Sequence, residues 1–73
     1  MENFDVLYNE FKKDFIKECP ELTLNYKYIE DDYYSIYHNR KYESRKFLSF
    51  VGVLLTKYFF DHDIYNIAFS NRE

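Results

Sequence analysis

Glycine, proline and cysteine each occur once in these 73 residues, as Gly52, Pro20 and Cys19. One glycine leaves no Gly-rich phosphate loop, and one cysteine leaves neither an intrachain disulfide nor a Cys-based metal cluster. The metalloprotease spacing H-E-x-x-H is missing as well. A single cysteine fits a reducing, cytosolic setting, and Cys19 itself reads as a small buried hydrophobe at the end of a helix rather than a reactive thiol. There are no internal repeats and no low-complexity tract. No apolar run reaches the roughly 20 residues of a membrane span. The longest, Phe47 to Phe60 (FLSFVGVLLTKYFF), contains Lys57 and follows Arg45 and Lys46. It also lies far from the amino terminus, unlike a signal peptide.

What the chain has instead is aromatic mass, nine tyrosines and eight phenylalanines. A chain this short buries only about 60% of the surface its unfolded form exposes, so each core side chain counts heavily. Large rings with few rotatable bonds answer that difficulty. Residues 1–73 read as a single domain, with no room for a linker or a second core.

The periodicity changes along the chain. From Asn3 to Glu18, Phe4, Leu7, Tyr8, Phe11, Phe15 and Cys19 share one face of an amphipathic helix, with Asn3 as its expected cap and Pro20 as its stop. Leu22 to Glu30 and Tyr33 to His38 alternate with a period of two, and Asp31 and Asp32 form the turn between them, so the pair reads as an antiparallel hairpin. That turn lacks the Asn-Gly or Asp-Gly signature, which leaves its type and register open. Phe47 to Phe60 is apolar over most of a helical circumference and is expected as a buried central helix, capped by Asn39 or Ser44. Ile64 to Ser70 fits either a strand or a short helix, and its β-branched and aromatic content favours the strand. The expected fold is therefore α+β in the order α-β-β-α-β, with both helices on one face of a small antiparallel sheet. The uncovered face would present Thr23, Asn25, Lys27, Ile29, Tyr33, Ser35 and Tyr37.

The net charge is −3, and it is unevenly spread. Residues 1–32 hold nine acids and four bases, and residues 33–73 hold four acids and six bases. Arg40, Lys41, Arg45 and Lys46, with His38 before them, form a basic segment at the expected start of the central helix. Bases there oppose the helix dipole, which suggests an anionic partner unless they are simply solvated or paired with the chain's own acids. The expected partner-binding set is Arg40, Lys41, Arg45, Lys46, Lys27, Tyr33 and Tyr37. Cross-strand packing is the competing explanation for the tyrosines. Asp61, His62 and Asp63, even with His38, match no catalytic or metal-ligand spacing, so no catalytic residue, cofactor or metal is expected.

A non-enzymatic interaction protein follows as the leading expectation: an inhibitor or regulator of another macromolecule, with a protein as its partner and no membrane. The acidic first half suits mimicry of a nucleic-acid backbone toward a nucleic-acid-handling enzyme. In size, acidity and lack of motifs the chain resembles phage-encoded host-takeover or anti-defence proteins, a likeness of type that rests on no matched motif. The alternatives are direct nucleic-acid binding through the basic segment and exposed tyrosines, and self-association through the open face or an edge strand into a homo-oligomer.

Overall fold

The row of rings predicted along the first helix is where the chain begins to pack. The computed structural model describes residues 4–71, and the expected cap at Asn3 and the tail residues Arg72 and Glu73 lie outside the described residues. Helix α1 (Phe4–Glu18) buries Phe4, Leu7, Tyr8, Phe11 and Phe15 on one stripe. Pro20 disfavours helical backbone at the residue before it, so the helix ends there and Cys19 turns inward, buried.

Strands β1 (Leu24–Glu30) and β2 (Tyr33–His38) form the expected antiparallel hairpin. Asp31 and Asp32 both take positive φ, 50° and 61°, which makes the connection a two-residue primed turn without glycine. Aspartate tolerates that backbone because its short polar side chain satisfies groups nearby. The register slips between Tyr28 and Glu30, so Ile29 is a bulge residue.

Helix α2 (Arg45–Tyr58) starts at Ser44, whose Oγ accepts from the Phe47 N–H at 3.1 Å, so Ser44 rather than Asn39 is the cap. Asn39 serves β1 instead, its Oδ1 accepting from the Thr23 N–H at 2.9 Å. The helix stops two residues short of the apolar run. Phe59 leaves helical geometry, and a short 3₁₀ turn at Phe60–His62 ends in left-handed Asp63. Strand β3 (Ile67–Ser70) follows, so the strand reading of this segment holds, over a shorter span than the alternation suggested.

Two expectations need correction. The sheet is mixed, in the order β1-β2-β3, because β3 runs parallel to β2. Alternation in sequence carries no strand direction. Direction comes from the connection: α2 carries the chain back along the sheet, so β3 starts at the end where β2 started. The central helix, furthermore, is not buried around its circumference. Only Phe47, Val51 and Leu54 are buried on it, whereas Leu48 is 46% exposed and Val53 67%. A two-layer domain has nothing to cover the far side of its helices. The core is instead centred on α1, with Phe11, Phe15, Phe59 and Ile36 at 0% exposure.

Leu54→Ala is expected to lower stability by about 2–5 kcal/mol, and Val53→Ala, one residue away on the other face, by less than about 0.5 kcal/mol. Urea denaturation reads both, and equal losses would contradict this assignment of faces. At the hairpin, Asp32→Val forces a β-branched residue into left-handed backbone and should lower stability by about 1 kcal/mol or more. Asp32→Gly should not.

Candidate interaction face

Both helices lie against Leu24, Tyr26, Ile36, His38 and Phe69, so the alternate side chains of each strand point away from the helical layer. Across that open face β2 is central. Its Tyr37 stands between Asn25 of β1 and Ser70 of β3, and its Ser35 between Lys27 and Ala68. Tyr33, 41% exposed, closes the hairpin end opposite Glu30. Of the expected binding residues, Lys27, Tyr33 and Tyr37 therefore do share one surface. Four residues of strand separate Tyr33 from Tyr37, about 13 Å, so the two rings serve as separate anchors.

The basic segment does not stay together. The loop from β2 to α2 brings Lys41 to the end of the sheet, where its carbonyl accepts from Asn71 Nδ2 at 3.3 Å. Arg40 is half-buried, with its guanidinium 4.8 Å above the Phe47 ring, a cation–π contact that ties it to this chain's own core. Arg45 and Lys46 are exposed on the first turn of α2 and belong to the helical layer.

His38 holds this loop in place. It is 3% exposed, stacked on Phe69 at 4.9 Å between ring centroids and tilted against Phe47 at 5.0 Å. Its Nδ1 accepts from the Arg40 N–H at 3.0 Å, which puts the ring proton on Nε2, 2.7 Å from Glu43 Oε2. Both nitrogens are thereby engaged. Sequence reasoning missed this role, because a histidine five residues before a glutamate across an irregular loop has no recognisable spacing.

At the other end of α2, Asp61, His62 and Asp63 are exposed on the 3₁₀ turn and the residue after it. A cleft of about 630 Å³ opens beside them, with Phe4, Tyr34, Ile64 and Tyr65 among its lining residues and Asp32 reaching in from the hairpin turn. Among the described residues no three His, Cys, Asp or Glu side chains gather as a metal-binding group. No helix among them is long and apolar enough to cross a membrane.

Several tyrosine hydroxyls on the helical side are tied to carboxylates. Tyr26 donates to Asp5, and Tyr58 donates to Asp14 at 2.5 Å. The Tyr58 bond, helped by the Lys57 ammonium 3.7 Å away, holds the Asp14 carboxyl below its ordinary range, and the same bond raises the Tyr58 phenol. Tyr8 differs. Its hydroxyl is buried with no hydrogen-bond partner among the described residues, and burial, with Tyr26 adding to it, pushes the phenol up to about 12.

Compared with known proteins, the chain matches no family model, no curated protein and no solved structure.

A raised phenol keeps its proton longer in the folded state than in the unfolded one, so its contribution is intact below the ordinary value of 10.0 and is lost as pH rises toward about 12. Tyr26, Tyr34, Tyr58 and Tyr65 are raised in the same direction, so alkaline unfolding should set in as pH passes 10.0. Tyr8→Phe should blunt that loss. At neutral pH the same change should be neutral or stabilising by up to about 1 kcal/mol, because the deleted hydroxyl has no partner among the described residues. Denaturation midpoints across alkaline pH check both expectations, and a destabilised Tyr8→Phe at neutral pH would count against them.

Proposed function

We propose that this chain is a small non-enzymatic interaction protein that inhibits or regulates another protein by occupying its surface. The observation that carries this reading is the uncovered face of the sheet, where Tyr33 and Tyr37 on the central strand and Lys27 beside them project away from the core. Tyrosines on paired strands are rigid, amphipathic anchors that lose little conformational entropy on contact. Lys41 at one end of the face and Glu30, Asp31 and Asp32 at the hairpin end give it opposite charge at its two extremes, which orients a partner. The surplus of acids in residues 1–32 suits a target that handles nucleic acid, and the one free cysteine, Cys19, buried at the end of α1, suits a reducing, cytosolic compartment. Its likeness of type to the host-takeover and anti-defence proteins of phages, in size, acidity and lack of motifs, agrees with this reading.

Direct nucleic-acid binding is the second reading, and it rests on the exposure of Lys41, Arg45 and Lys46. It requires affinity that falls with added salt and with charge removal at those residues.

The test is affinity capture followed by mass spectrometry, run in parallel on the natural chain and on a Lys27→Glu/Tyr37→Glu variant of unchanged circular dichroism. A protein retained by the first and lost by the second is expected. Retention of the same proteins by both chains would remove the sheet face from consideration. Salt-sensitive binding to nucleic acid that Arg45→Glu/Lys46→Glu abolishes would replace the protein-partner reading with the second one.

A further inference from the structure

The chain's one glycine stands in the middle of α2, where glycine costs a helix about 0.5–1 kcal/mol relative to alanine. Nothing among the described residues requires it. A Cβ built on Gly52 would meet no atom within 4 Å, so the residue faces open space. It lies on an outward seam of Arg45, Ser49, Gly52 and Thr56, spaced by four, three and four residues. The inward seam of Phe47, Val51, Leu54 and Tyr58 has the same spacing on the opposite side. Exposed Leu48 and Val53 flank the outward seam, and the Thr56 hydroxyl is already satisfied, donating to the Gly52 carbonyl at 2.9 Å. This helix face is therefore apolar at its margins, small at its centre and low in unmet hydrogen-bonding groups.

Its charges settle what fits there. Helix α2 has no acid in its first turn and starts with Arg45 and Lys46, while its exit carries Asp61, an order opposed to its own dipole. We propose that the outward face of α2 is a self-association surface, on which a second copy of this chain docks its own α2 antiparallel across Gly52. In that pairing Ser49 lies against Thr56 of the second copy, and the basic entrance of each helix meets the acidic exit of the other. The two dipoles also oppose each other favourably. Lys57 does not disturb this charge match, because Asp14 already lies 3.7 Å from it. The missing side chain at Gly52 lets the two backbones approach closely, which is the use glycine has in such a place. A contact this small, on the opposite side of the molecule from the open sheet face, sits at the low end of interface sizes and gives a dimer of micromolar or weaker affinity.

Sedimentation equilibrium from about 10 μM to about 1 mM tests it. The natural chain is expected to shift from monomer to dimer over that range. Gly52→Arg blocks the approach while adding a better helix former, so it should weaken dimerisation by about tenfold or more with no loss in the denaturation midpoint, which the helix propensity of arginine should raise. Arg45→Asp and Asp61→Arg should each weaken the dimer, and the two together should restore it. A chain that stays monomeric throughout overturns the proposal. So does a dimer indifferent to Gly52→Arg, which would place self-association on the sheet, and so does a charge swap that fails to restore pairing.

Discussion

The rings along α1 are the contact on which the other elements depend. Phe4 stacks on Tyr34 of β2 at 3.6 Å between centroids and lies 5.2 Å from Phe59 at the exit of α2. Phe11 reaches Phe59 and Phe69, and Phe15 reaches Phe47, Phe50 and Phe69. One helix thus touches the central strand, the last strand and both ends of the second helix through aromatic faces and edges. A short chain with little volume to enclose can close its core this way, because each ring supplies a large area from a single position.

The arrangement of surfaces follows from that core. With the rings gathered between one sheet and one pair of helices, the molecule has two layers and two unshielded sides. One side is the bare face of β2 and its neighbours, where Tyr33, Tyr37 and Lys27 stand. The other is the outward face of α2, where Gly52, Leu48 and Val53 stand. His38 sits between the layers and joins them, since its ring packs on Phe69 of the sheet and Phe47 of the helix while its nitrogens hold the loop that leads from one to the other.

Much of the fold was legible in the sequence because burial writes periodicity into it. The four-three spacing of α1, the alternation of β1 and β2, and the stop at Pro20 each reflect a local rule. Where the outcome depended on something non-local, the pattern misled. Leu48 and Val53 look like core residues in a one-dimensional reading, and only the absence of a third layer leaves them exposed. The direction of β3 depends on where α2 delivers the chain, which alternation does not record. The basic segment looked contiguous because its members are close in sequence, yet a loop, a cation–π contact and a helix turn distribute them over different surfaces. Lys27, Tyr33 and Tyr37 lie on one face because strand alternation alone places them there.

The parallel placement of β3 has a consequence for the order in which the structure assembles. Glu30 and Tyr33 pair across a two-residue turn, whereas Tyr34 and Ile67, also paired, are 33 residues apart. Closing the first loop orders few residues, and closing the second requires α2 and its exit to be in place. The strand that completes the sheet is only four residues long and has one neighbour. It is thus the part of the sheet whose amides should open first to exchange with solvent, and the Phe69 ring is the main weight that keeps it closed.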